Sequence, residues 1–302
     1  MAMTKQRVGL IGVGLMGHGI GKNIVIKGYP LTVVAHRNRA PVDDLVSKGA
    51  KEAKTGREVT EASDVVILCV TGSPQVEEAV YGRDGVLEGM KAGAVIIDCS
   101  TAEPGSTMKV SAAIAAKGGR FVDAPLVRTP KEAEEGRLGV MTGGDPEVIK
   151  EIEPILHCFA DSIIHAGGTG AGHTLKLVNN FIALGTAAAV AEGIATAARA
   201  GIDMTALRDI VMAGGAKSVM FERLIQVPLA DDDSAAKFAI GNAAKDLRYY
   251  TNMAENLPMS GFVAEAVHQT FVLALNRGYR DKFIPRLVDL ICEINNVKLR
   301  KP

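Results

Sequence analysis

Two short stretches of this 302-residue chain carry residue types that could do chemistry. The first is Gly12-Val13-Gly14-Leu15-Met16-Gly17, directly after the apolar run Val8–Ile11. Glycines at this spacing, between a strand and a helix, cradle the pyrophosphate of a dinucleotide. The first permits a tight turn, the second lets phosphate approach the backbone, and the third lets the helix pack on the strand. The helix start adds free N–H groups and the positive end of a dipole. Gly12, Gly14, Leu15, Met16 and Gly17 are therefore candidate cofactor contacts; a tight turn without a ligand is the plain alternative.

The second stretch runs from Gly167 to Asn180, a glycine-rich loop leading into an apolar helix. Lys176 and Asn180 are four residues apart and share a helix face. Lys176 is the only Lys or Arg between His173 and Arg199. Desolvation disfavours the charged form of such a lysine, which suits a group that takes up and returns a proton. Asn180 is placed to hold a hydroxyl or carbonyl oxygen. The alternative is a lysine that snorkels to water. His173, one turn before Lys176, is read as structural first and as a site residue second.

The end of the second predicted strand normally reads the adenosine ribose, with a carboxylate for a 2′-hydroxyl. Here Val33-Val34-Ala35-His36-Arg37-Asn38-Arg39 holds no carboxylate before Asp43. His36, Arg37 and Arg39 suit a 2′-phosphate, since guanidinium pairs bidentately with phosphate oxygens. NADP is the expected cofactor, with NAD as the alternative.

These residues need elements to position them. Up to about residue 165, β-type runs alternate with helical patterns. Strands are expected at Arg7–Ile11, Leu31–Ala35, Asp64–Val70, Ala94–Cys99, Arg120–Asp123, Leu138–Thr142 and Ser162–His165. That alternation predicts an α/β domain with a mostly parallel sheet covered on both faces. Beyond it the patterns are helical only, and the nearly charge-free segment Gly172–Ala200 is expected to be buried, inside a domain or between subunits. The expected organisation is a Rossmann-type domain over 1–166 and an all-α domain over 167–302.

Composition narrows the function. Lys+Arg and Asp+Glu are 34 each, so net charge is zero. That argues against nucleic-acid binding and against a polybasic membrane anchor. The apolar stretches are interrupted by glycine or charge before the roughly 20 residues a membrane span needs. The N-terminus does not have signal-peptide form. Cys69, Cys99, Cys158 and Cys292 lack metal or redox spacing and read as reduced thiols of a cytoplasmic protein. No cluster has metal-ligand spacing, so no metal is expected.

The motifs together resemble the β-hydroxyacid dehydrogenase family, from about residue 7 to about 297. Gly9–Gly17 with Asn23, Asp98-Cys99-Ser100-Thr101-Ala102-Glu103-Pro104, Asp123-Ala124-Pro125, Lys176-x-x-Asn179-Asn180 and Lys245-Asp246-Leu247 follow its motifs in order. The resemblance implies a 6-phosphogluconate dehydrogenase-like fold and hydride transfer between a nicotinamide cofactor and a small β-hydroxy acid. It implies Lys176 as general acid/base and Ser100 and Asn180 as substrate contacts. It places Val70, Thr71, Pro74, Thr101 and Lys245 at the cofactor, and it implies a homodimer or homotetramer.

One departure stands out. Where the family usually reads Asp-Ala-Pro-Val-Ser-Gly-Gly, this chain reads Asp123-Ala124-Pro125-Leu126-Val127-Arg128-Thr129. The glycines that admit a substrate carboxylate to the backbone are replaced by a charged, five-donor side chain and a threonine. This is similar to the sulfolactaldehyde reductase branch, and it makes Arg128 and Thr129 candidate anion contacts. The expected substrate is a small anionic hydroxy acid or aldehyde, with a sulfonate as alternative. Pairing of Arg128 with Glu132 or Glu134 is the structural alternative. A reading of a different class is a non-catalytic NADP-binding regulatory protein.

Overall fold

Val8–Ile11, Val65–Leu68 and Val95–Asp98 are buried at every position, as strands covered on both faces must be. In the computed structural model, which describes residues 5–299, they form the centre of a nine-stranded sheet. The chain runs β1 (Val8–Ile11), α1 (Leu15–Ile26), β2 (Leu31–Val34), α2 (Ala40–Ser47), β3 (Lys51–Ala53), α3 (Gly56–Glu61), β4 (Val65–Leu68), α4 (Ser73–Tyr81), α5 (Val86–Gly89), β5 (Val95–Asp98) and α6 (Pro104–Ala116). It continues through β6 (Arg120–Asp123), β7 (Leu126–Val127), α7 (Pro130–Glu134), β8 (Leu138–Gly143), α8 (Pro146–Leu156) and β9 (Ala160–Gly167) into α9 (Ala171–Arg199).

The strand order is β3-β2-β1-β4-β5-β6-β8-β7, with β9 beside β8. Pairing is parallel from β3 to β6. It is antiparallel where β8 meets β6 and β7, and parallel again between β8 and β9. The order reverses at β1, whose neighbours are β2 and β4. Open sheets of this kind bind ligands beyond the carboxyl ends of the strands at such a switch point. Apolar clusters cover both faces, one around Ile20, Leu45 and Ile155 and the other around Val59, Val76 and Ile114.

The chain divides into two compact units, the first ending at Lys176 and the second starting at Leu177. The division falls ten residues beyond the expected 166/167 boundary, inside α9, because the first turn of α9 is fastened to the sheet. The second unit is helical: the rest of α9, then α10 (Met204–Ala213), α11 (Val219–Leu224), α12 (Gln226–Ala230), α13 (Ile240–Asn256), α14 (Phe262–Asn276) and α15 (Leu287–Ile294). Its core packs Leu184, Ala187 and Ala191 of α9 with Leu247, Phe271 and Leu287.

The expectation for α9 needs one correction: by length and composition its 29 residues could span a membrane, although no such stretch was expected. Ile182 is 61% exposed within this chain, so of the two expected settings for the helix, burial inside a domain does not cover it all round.

Candidate active site

The glycine loop has the form that phosphate binding requires. Gly12 has φ +103°, and a Cβ there would stand 2.3 Å from the Cys69 carbonyl oxygen. A Cβ on Gly17 would stand 2.0 Å from the Gly12 oxygen, so α1 can close on the turn only with glycine. Gly14 differs: nothing lies within 4 Å of its absent Cβ, and it is exposed beside Leu15 and half-buried Met16. Gly14 is the N-cap of α1, without a side-chain cap and without an acidic residue in the first turn. The helix start therefore has neither a side-chain cap nor an acidic neighbour in its first turn to offset the positive dipole end. These residues fit the diphosphate of a dinucleotide.

At the end of β2, His36, Arg37 and Arg39 are all exposed. Arg39 is committed locally: Nη1 and Nη2 donate to both carboxylate oxygens of Glu52 at 3.0 Å, and Nη2 also reaches Asp43 at 3.0 Å. The two arginines, alike in the sequence, thus stand in different electrostatic settings.

Beyond β4, the main-chain N–H of Val70 donates to Ser100 Oγ at 3.0 Å. The N–H of Glu103 donates to Ser73 Oγ at 2.8 Å. The Val70–Pro74 segment and the Ser100–Glu103 segment are laced together by these bonds. Thr71 and Pro74 are exposed and Thr101 is half-buried. The flanking Cys69 thiol is pushed up to about 12 by burial, with a further push from Asp98.

Asp98 and Asp123 end β5 and β6 and are register partners. Both are buried, at 1% and 0% exposure. Asp123 is fully engaged: Oδ1 accepts from Gly170 N–H at 2.7 Å and Oδ2 from His173 N–H at 2.9 Å. It caps α9 from 47 and 50 residues upstream. Asp98 Oδ1 accepts from Ser100 N–H at 2.9 Å, whereas Oδ2 has no hydrogen-bond partner among the described residues. Burial pushes the Asp98 carboxyl up, against the pull of His173 and Ser100. The His173 ring is wholly buried, with Nδ1 at 2.7 Å from Thr107 Oγ and Nε2 at 3.1 Å from the Ser100 oxygen.

One turn further, Lys176 Nζ donates to the carbonyl oxygen of Leu126 at 2.7 Å. A main-chain carbonyl oxygen accepts equally from a neutral amine and from an ammonium. Arg128 and Thr129 follow in the same segment. Arg128 Nη1 donates to both Asp161 oxygens, at 2.7 and 2.8 Å, and to the Arg137 carbonyl oxygen. Thr129 forms a capping box with Glu132 at the start of α7. The partner of Arg128 is thus a carboxylate on β9, not the local Glu132 or Glu134. Arg128 is also left-handed, with φ +82°.

In the second unit Asn180 is buried, and its Nδ2 donates to Asp246 Oδ2 at 2.7 Å. Asp246 is 3% exposed, and its Oδ1 lies 3.1 Å from Lys245 Nζ. Lys245 also sits over the Tyr249 ring, 5.3 Å from its centre. Asp123 and Asp246 stand in the motifs Asp123-Ala124-Pro125 and Lys245-Asp246-Leu247, which are the sequence signal for them; their bonds to the start of α9 and to Asn180 emerge only in the fold.

Residues 7–168 match the model of the NAD binding domain of 6-phosphogluconate dehydrogenase. Residues 170–291 match that of the NAD-binding domain of NADP-dependent 3-hydroxyisobutyrate dehydrogenase. The chain is 35% identical over 218 residues to the 2-hydroxy-3-oxopropionate reductase of Escherichia coli (strain K12), covering 72% of this chain and 74% of that protein. It is 33% identical to the 2-(hydroxymethyl)glutarate dehydrogenase of Eubacterium barkeri, over 80% of each chain. The crystal structure of 3-hydroxyisobutyrate dehydrogenase from Salmonella typhimurium superposes with a TM-score of 0.83 at 28% identity, covering 95% of this chain and all of that one.

Proposed function

The chain belongs to the β-hydroxyacid dehydrogenase family, and from that premise we propose that it interconverts a small anionic β-hydroxy acid and its semialdehyde, with NADP(H) preferred over NAD(H). It is an NAD(P)-dependent oxidoreductase acting on the CH–OH group of its donor. The observation that carries the reading is Lys176, its Nζ held by the Leu126 carbonyl oxygen, one helical turn before buried Asn180.

Gly12–Gly17 would hold the cofactor diphosphate, Arg37 the 2′-phosphate, and Val70, Thr71, Pro74, Thr101 and Lys245 the remainder. When bound, the nicotinamide cofactor supplies or accepts the hydride. Lys176 takes the hydroxyl proton during oxidation and returns it during reduction. Ser100 and Asn180 orient the reacting oxygen. The bond from Asn180 Nδ2 to Asp246 fixes the side-chain amide of Asn180 in one rotamer.

A carboxylate substrate is the first reading, because Arg128 and Thr129 already have intramolecular partners. The sulfonate reading is favoured by one feature. Arg128 occupies a left-handed conformation that glycine adopts at no cost and that strains other residues by roughly 1–2 kcal/mol. A side chain kept under such strain points to a use for it. A non-catalytic role finds no support among the relatives. The free cysteines accord with a reducing cytoplasm. Ile182, Ile210 and Phe262 of the second unit are exposed apolar side chains that a homodimer or homotetramer could cover.

The test is oxidation of NADPH and NADH by wild type and Lys176→Ala with methylmalonate, tartronate and succinate semialdehydes and sulfolactaldehyde. Turnover of a carboxylate semialdehyde that Lys176→Ala lowers by at least about 100-fold, with NADPH binding retained, supports the reading. Turnover undiminished in Lys176→Ala removes the proton-transfer role. Selective turnover of sulfolactaldehyde moves the assignment to the sulfonate.

A further inference from the structure

His173 is a buried titratable side chain that the mechanism leaves unused. Its exposure is zero, and the ring is held from both sides within the first unit. The Ser100 carbonyl oxygen, 3.1 Å from Nε2, can only accept. Nε2 therefore carries a proton and donates to it; on the other side Nδ1 lies 2.7 Å from the Thr107 hydroxyl oxygen, which itself donates to the Glu103 carbonyl oxygen at 3.0 Å. Two carboxylates stand close by. Asp98 Oδ2 lies 3.9 Å from Nε2, and Asp123 holds the main-chain N–H of His173. The ring therefore joins three elements: α9, the start of α6 and the turn after β5.

The turn after β5 carries the proposed substrate contact Ser100 and the proposed cofactor contact Thr101. Ser100 is held at its N–H by Asp98 and at its Oγ by Val70 N–H. Its carbonyl is held by His173. Of these three bonds, only the last comes from the helix that bears Lys176.

We propose that His173 is a positioning residue for the reaction: its imidazole ties the first turn of α9 to the Ser100–Thr101 turn, fixing the distance between the substrate-orienting turn and the proton-transfer lysine. The proposal rests on the functional reading above. A bond across this gap matters because displacements on the order of 1 Å at a reacting centre can cost about 100-fold in rate.

Two variants separate positioning from mere packing. His173→Leu fills the space but removes the Nε2 donor. His173→Gln retains an amide N–H that reaches toward Ser100. Both keep the main-chain N–H that Asp123 caps. Should His173→Leu fail to fold, His173→Asn, whose amide stops short of Ser100, takes its place.

Amide hydrogen exchange of residues 99–103 is the first readout and needs no turnover. We expect exchange there to rise at least tenfold in His173→Leu and to stay near wild type in His173→Gln. The second readout is kinetic. The expected result for His173→Leu is a kcat at least tenfold lower, an NADPH dissociation constant within threefold of wild type, and a larger isotope effect with 4-deuterated NADPH. His173→Gln should recover kcat to within threefold. A lower melting temperature with unchanged local exchange, kcat and isotope effect would make His173 a packing residue and overturn the proposal. Absence of turnover in wild type overturns the functional reading, while the exchange data still decide whether the bridge exists.

Discussion

Asp246 Oδ2 accepts a hydrogen bond from Asn180 Nδ2 at 2.7 Å, and both residues are buried. Asp246→Ala would leave a buried amide unsatisfied and remove the carboxylate beside Lys245, a loss of about 1–3 kcal/mol. The expected outcome is a KM for the aldehyde raised by roughly tenfold or more, which corresponds to about 1.4 kcal/mol. Steady-state kinetics with saturating NADPH check it. An unchanged KM would show that Asn180 needs no partner to hold its amide.

The ribose-end arginines should separate. Arg39 is already paired with Glu52 and Asp43, so Arg39→Ala should change the NADPH dissociation constant less than about threefold. Arg37→Ala should weaken NADPH by tenfold or more and leave NADH little changed, since only NADPH carries the 2′-phosphate. Fluorescence titration with both cofactors reads the difference. Equal losses for the two variants would contradict the assignment.

The α1–α7 contact predicts an intolerant glycine. A Cβ on Gly19 would stand 2.4 Å from the Ala133 carbonyl carbon, a backbone atom that cannot swing away. Asn23 Nδ2 donates to the Ala133 oxygen at 2.9 Å and locks the same contact. Gly19→Ala should destabilise by about 1–3 kcal/mol through overpacking, despite the better helix propensity of alanine. Chemical denaturation gives the value; a neutral or stabilising result would show that α7 can move off α1.

His18 supplies a pH-dependent clip. Its Nδ1 faces Glu134 and its Nε2 lies 2.7 Å from Asp44. Burial opposes the charge, but the two carboxylates outweigh it and raise the folded-state value above 6.5. Stability from His18 is therefore fully present below about pH 6.5 and is lost as pH rises through the folded value. His18→Gln should melt a few degrees below wild type at pH 6 and converge with it at alkaline pH. Melting curves from pH 5.5 to 9 test the sign; a gap that widens with pH would reverse it.

Much of the architecture could be read from apolar runs, because strands buried on both faces must be apolar. Every expected strand is present, with ends shifted by a few residues. Lys51–Ala53 escaped notice because it is an edge strand with its first two residues exposed, so nothing selects apolar side chains there. Leu126–Val127 is two residues long and carries no period. Thr129-Pro130-Lys131-Glu132 does carry a helix-start pattern, but the helix it opens is only five residues long and shows no apolar period. The site was legible as a set of motifs, since each motif is local. Its bonding was not, since the partner of Arg128 lies 33 residues away and those of the His173 ring lie 66 and 73 away.

The placing of those partners along the chain has a consequence in time. Lys176 and His173 look backward: Leu126, Asp123, Thr107 and Ser100 all precede them. Asn180 looks forward to Asp246, 66 residues later. During synthesis at roughly 5–20 residues per second, a gap of that length lasts on the order of several seconds. The Leu126 carbonyl and the groups that hold the His173 ring thus exist before α9 leaves the ribosome, while the bond from Asn180 to Asp246 must wait for chain not yet made.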